Sequence, residues 1–150
     1  MSLDVKIYFD GACDNKLDNP PMGIGVSVEI NGNHDPFLSC WIPVEGRKGN
    51  SSNVAEWYGC VKAMQILSIL DIEDRVEIFS DSKVIASQFN GDYAIRQEKF
   101  IPYFKKAKDY ALIAGRPNIK VNWIERKYNK HADKLSKKGT EKFKKSLDKK

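Results

Sequence analysis

The stretch DVKIYFDGA, residues 4–12, decides the fold class. β-Branched and aromatic residues fill it and it closes on Asp10-Gly11, the signature of a strand running into a turn or a site. After the breaker Asn19-Pro20-Pro21, GIGVSVEI (residues 23–30) alternates in the same way and predicts a second strand. Asn31-Gly32 is a hairpin turn signal, and a third strand is expected around Phe37–Val44. The chain therefore opens as a three-strand antiparallel meander.

Working outward, helical texture starts after Ser51-Ser52-Asn53 and runs to about Leu70. Val54, Trp57, Val61, Met64 and Ser68 recur on one face, and Cys60, Ala63 and Leu67 widen the apolar arc. Arg75–Ser80 reads as a short strand, and Asp81-Ser82 opens a short helix ending near Asn90-Gly91. A further helix is expected over Gln97–Ala114, with Pro102 in its first turns. Asn118–Glu125 is the last predicted strand, and Asn129 starts a basic C-terminal helix. The order βββαβααβα predicts an α/β fold. Its five-stranded mixed sheet combines the three-strand meander with two parallel strands, flanked by helices and joined by right-handed crossovers.

At 150 residues the chain suits one domain, expected as a core over about residues 4–140 and a basic tail over 141–150. Three cysteines, Cys13, Cys40 and Cys60, without C-x-x-C spacing fit buried thiols in a reducing compartment. No apolar run approaches the roughly 20 residues that span a bilayer, and no cleavable leader opens the chain. A cytoplasmic monomer with no membrane and no protein partner is the expectation.

The net charge of +5 hides an asymmetry. Residues 1–95 carry 7 Lys and Arg against 14 Asp and Glu, whereas residues 96–150 carry 18 against 6. An acidic part joined to a basic one suits a metal-dependent nuclease, with carboxylates for cations and lysines for phosphates. A solvated lysine-rich tail would look the same over the last ten residues.

Four carboxylates fall at element ends: Asp10 at the end of the first strand, Glu56 in the first turn of the long helix, Asp81 at the end of the fourth strand and Asp133 in the first turns of the last helix. Each has a plain alternative. Asp10-Gly11 could be a turn, Asn53-x-x-Glu56 a capping box, Asp81 an N-cap, and Asp133 a complement to a helix dipole. Together they point further. If the first and fourth strands are parallel neighbours, Asp10 and Asp81 end side by side, where open α/β sheets place ligands. Glu56 shares a helix face with Cys60, Ala63 and Leu67, so a partly buried carboxylate there needs a compensating partner. Magnesium, which takes hard oxygen ligands, fits, and a pair of such ions would serve phosphodiester hydrolysis.

The segments IYFDGACDN (residues 7–15), SSNVAEWYG (51–59), IFSDSKVI (78–85) and NKHADKLSKKG (129–139) resemble the four motifs of the type 1 ribonuclease H family, in the family's order. The resemblance implies a ribonuclease H-like fold. It implies an endoribonuclease that hydrolyses the RNA strand of RNA/DNA hybrids with two magnesium ions, manganese being a possible substitute, and leaves 5′-phosphate and 3′-hydroxyl ends. It assigns Asp10, Glu56, Asp81 and Asp133 as metal-binding catalytic carboxylates. Gly11, Ser52, Asn53 and Asn129 match positions that approach or touch the hybrid, where 2′-hydroxyls distinguish RNA from DNA. Helix capping is compatible with such contacts at Asn53 and Asn129.

Three departures stand out. Lys83 replaces a glutamine common in the family; lysine cannot accept a hydrogen bond and would hold a phosphate instead. The loop histidine is missing, since Arg126-Lys127-Tyr128 contains none and His131, two residues before Asp133, points elsewhere on a helix. The basic handle is also missing, and the helix over Gln97–Ala114, with Lys99, Lys105, Lys106 and Lys108, is at most a reduced version. Both absences resemble the handle-less, histidine-less branch. Trp41, Trp57 and Trp123 are expected in the core, while Tyr93 is more open to nucleic acid.

Other nucleases of this fold fit poorly. Proofreading exonucleases carry Asp-x-Glu in the first strand, where this chain has Ala12, and integrases run Asp, Asp, Glu rather than Asp, Glu, Asp, Asp. The alternative from another class is a non-catalytic hybrid- or duplex-RNA-binding module. Such copies usually lose an acidic ligand, and all four are present here.

Overall fold

The computed structural model describes residues 2–148, with side chains through residue 142. Strands β1 (Asp4–Cys13), β2 (Met22–Ile30), β3 (Asn33–His34) and β4 (Cys40–Val44) come first, followed by helix α1 (Ser52–Leu67) and strand β5 (Arg75–Ser80). Then come α2 (Lys83–Asn90), α3 (Ile101–Ile113), β6 (Val121–Trp123) and α4 (Lys130–Asp148), with 3-10 turns at Glu98–Phe100 and Arg126–Tyr128.

The sheet order is β3-β2-β1-β5-β6, with β4 also paired to β2. β1 is antiparallel to β2 and parallel to β5, and β5 is parallel to β6. Asn31 (φ 51°) and Gly32 (φ 83°) both turn left-handed, as a tight hairpin requires. β3 faces Glu29 and Ile30, while β4 faces Met22 to Val26, so the two share one outer edge of β2. The sheet is therefore five positions wide, as the element order predicts.

The expected third strand over Phe37–Val44 begins only at Cys40. Asp35 Oδ1 accepts the N–H groups of Phe37 and Leu38, both at 2.9 Å, and Ser39 Oγ accepts the Val28 N–H at 2.9 Å. Side-chain acceptors here replace ladder bonds and lift residues 35–39 out of the sheet. The last strand is likewise shorter than Asn118–Glu125, since β6 pairs only with Ile78, Phe79 and Ser80.

One face of the sheet buries Val5, Ile7 and Phe9 of β1 with Ile24, Val26 and Val28 of β2 beneath α1, whose Cys60, Ala63 and Leu67 are fully covered. Trp57 is completely buried, edge-on to Phe104 of α3 at 6.2 Å. Ala107 and Ala111 seat α3 in the same core, and Lys108 lies 3.9 Å from the Phe89 ring. The helix expected over Gln97–Ala114 thus begins at Ile101 and packs on the core through its alanines, while Lys105 and Lys106 stay exposed on its outer face.

On the opposite face α4 lies against β2. A Cβ on Gly23 or Gly25 would collide with α4 backbone at Ser136 or Ala132. Only glycine lets a helix approach a strand this closely. Trp123, expected in the core, is 51% exposed instead. β6 is the outermost strand, and the indole N–H is held by the Asp81 carbonyl at 3.2 Å.

Candidate active site

β1 and β5 run parallel, and the last paired residues are Phe9 and Ser80. The next residue on each strand is a carboxylate: Asp10 on β1, Asp81 past the end of β5. β1 does not end at Asp10, as its sequence suggests, but continues to Cys13 opposite β2. Asp10 therefore sits inside a strand at the point where its other neighbour stops, which opens a notch in the sheet.

Glu56 reaches the notch from α1. A Cβ on Gly11 would fall onto the Ala55 and Glu56 backbone, so this glycine brings strand and helix into direct contact. The capping-box alternative for Glu56 does not form. Ser51 caps α1, its side chain accepting the Val54 N–H at 3.2 Å, which puts Glu56 in the second turn. Asp81 is not an N-cap either, because Ser82 caps α2 by accepting the Ile85 N–H at 3.3 Å. Neither carboxylate is needed to start its helix.

Ligand oxygens of Asp10, Glu56 and Asp81 lie within 4.8 Å of one another. Asp133, in the first turn of α4, joins the group through a side-chain hydrogen bond with Asp10 and pairs with Lys137 Nζ at 3.0 Å. All four predicted carboxylates thus converge from four elements.

Their surroundings disfavour charge. Burial first, then the charge of Asp81 and the carboxyl of Asp133, push Asp10 up to about 8, against a smaller opposing hydrogen bond from Gly11. Burial raises Glu56 to about 7; the Asp81 charge adds to this, while a Ser82 hydrogen bond and the Arg126 charge oppose it. Carboxylates forced together out of water attract a dication, and an all-oxygen donor set of this kind suits magnesium or manganese. The residues present fit such a metal.

The remaining predicted residues divide. Ser52 accepts a hydrogen bond from Asn15 Nδ2 at 3.2 Å near the surface, and Asn53 and Lys83 are exposed at the first turns of α1 and α2. Gly11 packs its Cα against α1 backbone on one side and is half-buried. Asn129 is 1% exposed and its side chain caps nothing. Its Nδ2 donates to the Phe9 carbonyl at 3.0 Å and to Asp81 Oδ2 at 3.3 Å, so it stands behind the carboxylates rather than on the surface.

Two residues escaped the sequence reading. Arg126, in the 3-10 turn before α4, places Nε 3.9 Å from Asp81 Oδ2. It is the arginine of an otherwise lysine-rich segment, the one signal that could have singled it out. Ser136, fully buried, puts Oγ 3.4 Å from Asp10 Oδ2 and donates to the Asp133 carbonyl at 2.7 Å. Its place one turn after Asp133 carries meaning only once α4 is docked.

This arrangement is the acidic site of a ribonuclease H-like fold. The chain belongs to the reverse transcriptase-like family, whose pattern matches residues 9–139, and its structural relatives are type 1 ribonuclease H1 proteins. The ribonuclease H1 of Halobacterium salinarum superposes with TM-score 0.77 at 20% identity, covering 93% of this chain and 98% of that one. The N-terminal ribonuclease H domain of Rv2228c from Mycobacterium tuberculosis gives 0.81 at 23%, covering 97% and 99%. LC11 ribonuclease H1, from compost metagenome, gives 0.76 at 27%, covering 93% and 98%, and was solved with RNA/DNA hybrid. Among the described residues no helix is long and apolar enough to cross a membrane.

Proposed function

We propose that this chain is a metal-dependent endoribonuclease that hydrolyses the RNA strand of RNA/DNA hybrids and leaves 5′-phosphate and 3′-hydroxyl ends. The convergence of Asp10, Glu56 and Asp81 within 4.8 Å carries the reading, because these oxygens have little other reason to be buried together. The hybrid complex of LC11 ribonuclease H1 supports the substrate class.

In this reading Asp10, Glu56, Asp81 and Asp133 hold a pair of magnesium ions, with manganese as a substitute. When bound, such a pair supplies an activated water and stabilises the departing oxygen of the phosphodiester. Asn129 orients Asp81 through its Nδ2, and Ser136 steadies the Asp10 and Asp133 end of the cluster. Arg126 adds positive charge at the rim of the notch. Gly11, Ser52 and Asn53 follow the minor groove, where 2′-hydroxyls mark the RNA strand. Lys83 holds a backbone phosphate. Residues 4–140 act as one domain, a cytoplasmic monomer.

Cleavage of a labelled RNA/DNA hybrid, beside matched RNA and DNA duplexes, tests this with magnesium, manganese or EDTA. Metal-dependent cutting of the RNA strand of the hybrid alone is expected. Hybrid binding without cutting under either metal would replace the enzyme with a binding module.

A further inference from the structure

The chain holds two histidines, and the fold brings them together. His34 stands in β3, at the tip of the β2–β3 hairpin, and His131 in the first turn of α4. Their ring centres lie 5.7 Å apart with planes inclined at 37°. His34 Nδ1 faces Ser27 Oγ at 3.5 Å, which leaves Nε2 on the other side of the ring. Glu29 is paired opposite His34 in register, so both side chains rise from the same face of the hairpin. Glu29 and His131 also line one small cavity of about 50 Å³ beside Tyr8.

We propose that His34 and His131, with Glu29 as third donor, form a binding site for a transition-metal dication of the zinc class, separate from the carboxylate centre. Zinc bonds imidazole nitrogen at about 2.0–2.1 Å, and two imidazoles sharing one tetrahedral ion hold their ring centres roughly 5 Å apart. The observed 5.7 Å is close to that span. Among the described residues only Asp10, Glu56 and Asp81 already gather three ligand atoms within 4.8 Å. The histidine site therefore closes on binding, by rotation of two exposed imidazoles. Imidazole selects zinc, nickel or copper, whereas the carboxylate centre suits magnesium and manganese, so the sites divide metals by donor chemistry. A bound ion would staple the β2–β3 hairpin to α4, whose first turn carries Asp133.

The chain's two imidazoles provide a direct readout. Zinc is titrated into the full-length protein in saturating magnesium, which occupies the carboxylates, while the two imidazole Cε1–H resonances and Tm are followed. Both resonances are expected to change together, saturating at one zinc per chain, with a rise in Tm. His34→Ala and His131→Ala should each abolish the Tm rise, and Glu29→Gln, which removes a ligating carboxylate, should weaken zinc binding by roughly tenfold or more, since even an outer-shell partner is worth that much. Unmoved imidazole resonances, a response from one histidine alone, or a Tm rise that survives both substitutions would overturn the proposal. Because the readout is not cleavage, its failure leaves the nuclease reading intact, and the reverse.

Discussion

Asn129 Nδ2 lies 3.3 Å from Asp81 Oδ2 and 3.0 Å from the Phe9 carbonyl oxygen. One buried side chain at the start of α4 thereby ties β1 to the carboxylate beyond β5. Asn129→Ala leaves a buried carbonyl and a carboxylate without their donor, a loss of about 1–3 kcal/mol. Tm should fall by several degrees and hybrid cleavage should need more magnesium. Asn129→Asp should be worse, because it sets another carboxylate against Asp81. Thermal melts and magnesium titrations of both variants check this; wild-type behaviour in Asn129→Ala would remove the bridge from the site.

Asp10 is held at about 8, far above an unfolded aspartate. The native state therefore keeps a proton that the unfolded chain has released over the range between the two values. Stability of the metal-free protein should be fullest below about pH 4 for this group and decline as pH rises through about 8. Saturating magnesium should suppress that decline, since a dication favours the ionised form. Asp10→Asn should abolish cleavage, flatten the decline and raise Tm in EDTA at neutral pH. Denaturant midpoints across pH, with and without magnesium, distinguish these outcomes. An Asp10→Asn protein with full activity would sink the site assignment.

A Cβ on Gly11 would meet the Ala55 and Glu56 backbone rather than a flexible side-chain end. Gly11→Ala must push α1 away from β1, an overpacking of about 1–3 kcal/mol. Because Glu56 rides on that helix, magnesium affinity should fall along with stability. Calorimetric magnesium titration beside a urea melt reads both, and lost stability with unchanged affinity would separate the glycine from the metal cluster.

Lys83 is exposed at the first turn of α2, two residues after Asp81. Lys83→Ala should leave Tm unchanged within error and weaken hybrid binding. Loss of one phosphate contact lowers the slope of log affinity against log salt by about 0.9. An unchanged slope would mean that the lysine touches solvent only. Lys83→Gln, with an acceptor restored, measures what the family's more common residue contributes.

The hairpin at Asn31-Gly32 and the apolar face of α1 were legible because each rests on turn chemistry or local periodicity. The parallel placement of β1 beside β5 stood in the sequence only as a condition, being a contact between segments about seventy residues apart. The four carboxylates were legible as acidic residues near element ends, although β1 runs on past Asp10 and Glu56 lies in the second turn of α1. What was lost depended on competition between neighbours. Ser51 caps α1 in place of Asn53, and Asp35 and Ser39 cap β3 and β4 off from each other, choices that adjacent polar residues offer almost equally. Trp123 reads as core on an apolar strand, yet nothing in its own sequence says that the strand lies at the sheet edge. The helix from Ile101 reads as basic, yet its alanines, not its lysines, decide where it packs.

The sequence by itself determined the order of strands and helices, and that acidic residues stand near the ends of four of them. Both follow from interactions within a few residues along the chain. Only the tertiary structure decided that these carboxylates crowd one notch, that Asn129 lies behind Asp81, and that His34 meets His131. Burial and like charge act through space, so an aspartate at position 10 becomes a group held near 8 only when β5, α1 and α4 are packed around it.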